Sequence, residues 1–204
     1  MIAVRNLQFR YGQSRFGLSL DALDVPTGAR VCWVGPSGTG KTTLLHLAAG
    51  ILVPAAGTVT TCGVKLSELA EPARRDFRIA QVGLVFQDFA LLDYLHVLDN
   101  ILLPYRINQS LQLDADVRAR AERLAADVGL ADMLFRRPHQ LSQGERQRVA
   151  ACRAVVTQPA IVLADEPTAN LDQENAARVI NVLEHHAEEQ QATLVVVSHD
   201  PYVK

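Results

Sequence analysis

This sequence of 204 residues contains few cysteines and no long apolar run. Three cysteines (Cys32, Cys62 and Cys152) are too few and too scattered for a disulfide framework or a zinc site. No stretch approaches about 18 continuous apolar residues, so no transmembrane helix is predicted. The first residues lack the apolar segment of a signal peptide. We therefore expect a protein of the reducing cytoplasm, without direct membrane insertion.

An excess of charge of one sign is also missing. The formal net charge of −2 gives no sign of a general nucleic-acid-binding surface, so no nucleic-acid partner is expected. Hydrophobic residues make up 49% of the chain and charged residues 21%, close to the averages of globular proteins. The length fits one domain with a full-sized core.

Short β-branched runs alternate with helical patterns, which is typical of a parallel α/β sheet. Near-continuous apolar runs predict strands that are covered on both faces, and these runs lie at residues 31–34, 82–86, 161–164 and 193–197. Cys32 in the first run and Cys152 in a helical pattern are expected to be small buried hydrophobic residues. Upstream, residues 3–9 and 16–20 alternate apolar and polar positions, which predicts an antiparallel sheet with one solvated face.

The period of the apolar residues becomes helical in the middle of the chain. Residues 115–128 carry an apolar stripe at helical spacing. We expect a helical subdomain at residues 88–158, inserted between the two parts of a core at residues 1–87 and 159–204, all within a single domain.

A glycine-rich segment at residues 35–42 has the pattern G-x-x-x-x-G-K-[ST]. It follows a predicted strand and precedes a helical pattern. Glycines let the backbone wrap closely around phosphate oxygens, and the N–H groups at the helix N-terminus favour an anion. Lys41 is expected to reach the β- and γ-phosphates of a nucleotide, and the Thr42 hydroxyl to coordinate Mg²⁺. The alternative, a chance glycine-rich turn, arises on the order of 1 in 100 times at this length.

Two adjacent carboxylates, Asp165 and Glu166, follow the predicted strand at residues 161–164. The carboxyl ends of parallel strands lie on the ligand side of such a sheet. Asp165 is suited to hold Mg²⁺ through water, and Glu166 to accept a proton from an attacking water molecule. The alternative is that the two carboxylates are simply solvated charges at the end of a strand. The glycine-rich segment upstream makes this alternative less favoured.

Residues 141–148, Leu-Ser-Gln-Gly-Glu-Arg-Gln-Arg, resemble the signature motif of ATP-binding cassette (ABC) ATPases, whose usual core is Leu-Ser-Gly-Gly-Gln. The resemblance covers nearly the whole chain, with the family's motifs in order. It implies an α/β fold: a P-loop NTPase (RecA-like) core with an N-terminal antiparallel β subdomain and an inserted α-helical subdomain. It also implies that the Walker A segment binds ATP through consecutive residues, namely Gly35, Pro36, Ser37, Gly38, Thr39, Gly40, Lys41, Thr42 and Thr43.

Several single residues match further motifs of the family. Gln87 matches the Q-loop glutamine, Asp165 and Glu166 the Walker B pair, and His199 the switch histidine. The resemblance implies catalytic roles for Glu166, His199 and Gln87. It implies Mg²⁺ contacts by Thr42, Gln87 and Asp165.

Two other residues resemble nucleotide contacts of the family. Tyr11 resembles the aromatic residue that stacks on adenine, and Asp172 lies in a D-loop-like segment at residues 169–172. Members usually continue past the switch histidine with a helix and a further strand, whereas this sequence ends at Lys204. The last core element is therefore not expected in full.

The signature segment also has the features of a helix start. Ser142 and Glu145 form a capping-box pattern, which leaves the positive end of the helix free. A well-capped helix without a further role is the alternative. In the family this helix end faces the γ-phosphate held by the opposite subunit, so the resemblance implies ATP contacts by Ser142, Gln143, Gly144 and Glu145. Gln143 replaces the motif's first glycine and puts a side chain where the backbone is usually bare, and Glu145 replaces its final glutamine.

Residues 86–92 and 97–104 are similar to the type VII group of ABC proteins, which includes lipoprotein-release, macrolide-efflux and cell-division ATPases. In that group the ATPase is a homodimer on two permease subunits, and a cleft beside the helical subdomain receives a short permease helix. The apolar residues between 89 and 103 are expected either to line that cleft or to form the subdomain's own core.

The resemblance implies an ATP-hydrolysing subunit, dimerising head-to-tail on ATP at the cytoplasmic face of the inner or plasma membrane. It would drive an integral-membrane permease in export or envelope mechanotransmission. The alternative is a soluble ABC ATPase that acts on ribosomes or DNA. It is less favoured because the chain has one cassette and because its helical insert is short and lacks heptads.

Overall fold

The computed structural model of the chain describes residues 2–12, 16–169 and 171–199. Asn170, in the D-loop-like segment, and residues 200–204 lie outside the described residues. The strands are β1 (Ile2–Arg10), β2 (Gly17–Val25), β3 (Arg30–Val34), β4 (Ala56–Thr61), β5 (Val64–Lys65), β6 (Val82–Val85), β7 (Ile161–Asp165) and β8 (Thr193–Ser198). The α-helices are α1 (Lys41–Ala48), α2 (Glu71–Gln81), α3 (Val97–Ile101), α4 (Leu103–Ile107), α5 (Ala115–Asp127), α6 (Gln143–Val155) and α7 (Gln173–Glu189).

The N-terminal sheet is antiparallel and has the strand order β2-β1-β4-β5. Alternate residues of β1 (Ile2, Val4, Leu7 and Phe9) are buried, as the alternating sequence pattern predicts. Strand β2 continues to Val25, beyond the predicted stretch, and β4 and β5 were not predicted.

The second sheet is parallel and has the order β3-β8-β7-β6, so β8 and β7 are central. Every residue of these two strands is buried, which explains their apolar sequences. Strand β3 was predicted to be buried on both faces, and this is wrong. Within the described ranges it pairs with β8 alone, and none of its residues belongs to the cluster that covers Val162 and Ala164, so Cys32 is exposed rather than buried, whereas Cys152 is buried as expected.

Two apolar clusters cover the opposite faces of the parallel sheet. Ile161 and Leu163 of β7 pack in a cluster with α1 and the N-terminal sheet. Val162 and Ala164 face a second cluster that includes residues of α3, α5, α6 and α7. Helix α6 lies at the centre of this second cluster and contacts β6, α3, α5 and α7.

Helices α3, α4, α5 and α6 all fall between residues 88 and 158. The helical stripe predicted at residues 115–128 corresponds to α5, which Asp114 caps by accepting a 2.8 Å hydrogen bond from the Val117 N–H. Across the described ranges, no helix is both long and apolar enough to cross a membrane.

Candidate nucleotide-binding site

A cavity of about 570 Å³ lies where β3 leads into α1, beside the carboxyl ends of β7 and β8. Residues from well-separated parts of the sequence line it, and all except Phe16 and Val197 were predicted to bind nucleotide or act in catalysis. They are Tyr11, Phe16, Ser37, Gly38, Gly40, Lys41, Thr42, Thr43, Gln87, Glu166, Val197 and His199.

The loop between β3 and α1 depends on glycine at two positions. Gly38 and Gly40 have φ values of 81° and 97°, in the left-handed region that favours glycine. A Cβ atom on Gly40 would also lie 3.0 Å from the Phe16 ring and 3.2 Å from Leu18 Cδ1. Gly40 precedes α1, which has no side-chain cap at its N-terminus. The backbone N–H groups of its first turn are therefore available to an anion.

The Lys41 side chain folds back over this loop. Its Nζ donates hydrogen bonds to the carbonyl oxygens of Gly35 at 2.6 Å and Pro36 at 3.0 Å. The Thr39 hydroxyl donates to the same Pro36 oxygen at 2.9 Å. The loop thus holds a positive charge beside the N-terminus of α1, an arrangement that suits a polyphosphate.

Asp165 ends β7 and is only 3% exposed. Burial raises the pKa of its carboxyl group, and a hydrogen bond from the Thr42 side chain opposes that shift. Its Oδ1 has no hydrogen-bond partner among the described residues, which is costly for a buried carboxylate oxygen. Hard oxygen ligands of this kind suit Mg²⁺, so Asp165 and the Thr42 hydroxyl fit a magnesium site.

Glu166 and His199 form a direct pair at the cavity wall. Oε1 of Glu166 lies 2.7 Å from Nδ1 of His199, and the Ser198 hydroxyl is 3.5 Å from Oε2. The Glu166 backbone is left-handed (φ 48°), and its N–H donates to the Val197 carbonyl at 2.9 Å. The Glu166 side chain is 14% exposed and that of His199 60%. The carboxylate is thus oriented and largely shielded, as suits a general base.

Two aromatic rings form another wall of the cavity. The Tyr11 ring lies 4.8 Å from Phe9 in an edge-on arrangement and 6.0 Å from Phe16. The Tyr11 hydroxyl is 3.2 Å from Oγ1 of Thr43. Phe16 was missed because it comes close to Tyr11 and to Gly40 only in the folded chain. The available signal was an aromatic residue on each side of the segment between β1 and β2.

The signature residues lie elsewhere. Within the described chain, Ser142, Gln143, Gly144 and Glu145 are not among the residues that line this cavity. The predicted capping box is confirmed: the Ser142 N–H donates to Glu145 Oε2 at 2.6 Å, and the Glu145 N–H donates to Ser142 Oγ at 3.3 Å. Gln143 is exposed at the first position of α6.

Asp172, also remote from the cavity lining, joins the signature segment through Asn175. Its carboxylate caps α7 by accepting hydrogen bonds from the Asn175 N–H at 2.8 Å and side-chain amide at 2.6 Å. The Asn175 side chain also accepts from Arg148, and a Cβ atom on Gly144 would lie 3.3 Å from Asn175 Cγ. Asn175 therefore connects the signature segment to the D-loop residue Asp172. Sequence reasoning missed Asn175 and Arg148.

A larger cavity, of about 760 Å³, lies between α5 and α7. Arginine, glutamate and histidine side chains line it together, without a consistent charge. None of the predicted site residues lines it. Its larger volume is therefore no reason to assign it a function.

Comparison of the sequence with known proteins identifies the family that its motifs resemble. Residues 18–169 match the family described as ABC transporter. The chain is 43% identical to the lipoprotein-releasing system ATP-binding protein LolD of Chromohalobacter salexigens over 184 residues, or 89% of this chain and 77% of that protein. It is 38% identical to YvcR of Bacillus subtilis, an uncharacterized ABC transporter ATP-binding protein, over 98% of this chain and 78% of that one.

Solved structures agree with this relationship. The ATP-binding cassette MJ0796, in a dimeric post-hydrolysis state bound to ADP and Pi, superimposes with a TM-score of 0.89 at 32% identity. The match covers 98% of this chain and 88% of that one. The chain therefore belongs to the ABC transporter family of ATP-binding proteins, as an ABC-type ATPase of the group that includes the lipoprotein-releasing ATPases.

Proposed function

We propose that this ATPase works as a head-to-tail homodimer on a membrane permease, at the cytoplasmic face of the membrane. One observation carries the proposal. The phosphate loop and the Glu166–His199 pair line one cavity, whereas Ser142 and Asp172 are exposed and are not among the residues that line it. Two copies arranged head-to-tail would complete two sites, each with the cavity of one copy and the signature surface of the other.

In such a site, Lys41 and the N–H groups at the start of α1 bind the phosphates, and Tyr11 and Phe16 stack against the base. Thr42, Gln87 and Asp165 would hold Mg²⁺, which would neutralise part of the phosphate charge. The second copy presents the Ser142 hydroxyl, the Gly144 N–H and the positive end of α6 to the γ-phosphate.

Glu166 then accepts a proton from the attacking water while His199 holds the carboxylate in place. The water oxygen bonds to the γ-phosphorus, and the bond from that phosphorus to the bridging oxygen breaks. ADP and phosphate leave. The left-handed backbone and the shielding of Glu166 support this role because they place the carboxylate before substrate arrives.

A groove of about 230 Å³ is the candidate contact for the permease. It runs between α2, β6, α4 and α6, with apolar walls that include Phe86, Leu103 and Ile107. Ile107 is exposed at its rim. We propose that a short helix of the permease packs here, at the junction of the core (residues 1–87 and 159–204) and the helical subdomain (residues 88–158). The relatives named for lipoprotein release support an envelope-acting or export complex.

The test is to purify a tagged Glu166→Gln chain from detergent-solubilised membranes with Mg-ATP and identify what co-purifies. A stoichiometric multi-spanning protein is expected. The matched control, Glu166→Gln combined with Lys41→Ala, should bind ATP poorly and retain less of the partner. Recovery of ribosomes or DNA, or of no membrane protein, would contradict the proposal.

A further inference from the structure

The segment that follows β6 carries Gln87 and has an unusual backbone. Phe89 and Ala90 both have left-handed φ values, 63° and 46°, although neither is glycine. The Ala90 N–H donates a 2.7 Å hydrogen bond to the Asp88 carbonyl, which closes a three-residue turn around Phe89. Turns of this kind with a left-handed central residue are rare and strained. Contacts from the surrounding structure must hold the segment in this conformation.

Arg153, from the last turns of α6, supplies those contacts. Its Nη1 donates to the Ala90 carbonyl at 2.6 Å, and its Nη2 donates to the Phe89 carbonyl at 2.6 Å. The residue is 9% exposed. Burial lowers the pKa of its guanidinium to about 10, partly opposed by the nearby Asp88 carboxylate, so the group stays charged at neutral pH. A planar guanidinium can donate to two adjacent carbonyl oxygens at once, whereas a lysine ammonium lacks that fork.

We call the two hydrogen bonds from Arg153 the Arg153 clasp. Through α6, this clasp connects the signature residues at the start of the helix to the Gln87 segment near its end. The helix begins with the signature residues, and Arg153 lies ten residues beyond Gln143, about 15 Å along its axis. Gln87 is two residues before Phe89 and lines the nucleotide cavity. A displacement of α6 would therefore pull directly on the backbone that carries Gln87. Arg153 and Ala90 also line the apolar groove that is the candidate contact for the permease.

We propose that Arg153 is a positioning residue that ties the Gln87 segment to the signature helix, so that Gln87 takes its working position only when α6 does. The proposal rests on the proposed function, because α6 acquires its working position when the second copy and the permease engage the ATPase. Arg153 is not among the residues that line the nucleotide cavity.

Arg153→Lys keeps the positive charge but loses one of the two hydrogen bonds. Turnover, measured with purified protein and any membrane partner that co-purifies, should fall about 10-fold in kcat, because a small misplacement of a catalytic group has large effects. The KM for ATP should stay within about 2-fold, since the phosphate loop is untouched. Hydrogen exchange of a peptide spanning residues 86–92 should become at least about 5-fold faster, because the clasp that protects it is weakened.

Arg120→Lys is the matched control. Arg120 also donates to the helical region, to the Val156 carbonyl at 2.9 Å and the Tyr105 hydroxyl at 2.9 Å, at the same end of α6 but without contact to the Gln87 segment in these hydrogen bonds. This variant should leave kcat and the exchange of residues 86–92 close to wild type. Arg153→Lys with kcat like that of the control overturns the proposal, as does a lower kcat with unchanged exchange at 86–92. Absence of a membrane partner would count against the proposed function instead, since both readouts can be taken on the ATPase alone.

Discussion

The imidazole of His199 lies 2.7 Å from the carboxylate of Glu166 and so links the end of β8 to the end of β7 at the wall of the nucleotide cavity. The two residues are 33 positions apart in the sequence, and the parallel pairing of the two strands brings them together. The Glu166 side chain is shielded and that of His199 is exposed, so the histidine is open to the cavity while it holds the carboxylate in place.

Glu166→Gln should bind ATP normally and hydrolyse it very slowly. Removing a general base costs about 10²–10⁴-fold in rate, which corresponds to about 3–5 kcal/mol of barrier. The measurements are steady-state turnover and equilibrium binding of ATP. Unchanged turnover would remove Glu166 from the mechanism.

His199→Ala should also slow hydrolysis, by about 10- to 100-fold, because the carboxylate loses its orienting partner. ATP affinity should change less than kcat. His185→Ala is the control, since His185 is exposed on α7 and pairs only with Glu189, at 3.2 Å, among its described ion pairs. Equal effects of the two substitutions on kcat would show that the Glu166–His199 contact has no catalytic role.

The capping box at the start of α6 should stabilise the fold in a pH-dependent way. Burial alone would raise the pKa of Glu145, but its hydrogen bonds with Ser142 and the charges of Arg148 and Arg136 lower it overall. A lowered pKa in the folded state means that the charged form contributes stability above the unfolded pKa of about 4.3. That contribution is lost as the pH falls through the folded pKa.

Glu145→Gln keeps the shape of the cap and removes its charge. Urea titrations should therefore show a smaller free energy of unfolding than wild type at pH 7, and a difference that shrinks toward pH 3. A difference that does not change with pH would assign the stabilisation to shape and hydrogen bonding alone.

Asn100 should be important for stability because it holds the loop that precedes α3. It is fully buried, and its Oδ1 accepts from the Leu92 N–H at 2.8 Å, while its amide donates to the carbonyls of Leu92, Leu95 and His96. Asn100→Leu removes these partners and should lower the free energy of unfolding by about 2–4 kcal/mol. Asn181→Ala, at an exposed position of α7, should stay within about 0.5 kcal/mol of wild type. Similar losses for both variants would contradict a specific role for Asn100.

The parts that the sequence predicted best are those in which local chemistry dictates the residue type. Phosphate binding requires the left-handed glycines Gly38 and Gly40, and burial on both faces requires the apolar runs of β7 and β8. Cys32 was misplaced because an apolar strand pattern does not show whether both faces of the strand are covered. Strand β6 is also an edge strand and is largely buried, so the cover on each face decides the exposure.

The contacts that the sequence did not predict join distant segments. Arg148 meets Asn175 across 27 residues, and Arg153 meets Phe89 across 64. No local sequence pattern predicts either contact. Arginines on helices are usually exposed to solvent, so the sequence alone does not indicate that these two are buried. The left-handed backbone at Phe89 and Ala90 is likewise unmarked, because neither residue is a glycine or an asparagine.

The most direct test of the composite site is the oligomeric state of Glu166→Gln with Mg-ATP, measured by light scattering after size-exclusion chromatography. A second variant adds Ser142→Asp, because aspartate still caps the helix but faces the γ-phosphate with a negative charge. Composite sites predict an ATP-dependent dimer for Glu166→Gln, and a monomer that still binds ATP for the double variant. A Glu166→Gln chain that stays monomeric in saturating ATP, or a double variant that dimerises equally well, would contradict a site completed by the signature of a second copy.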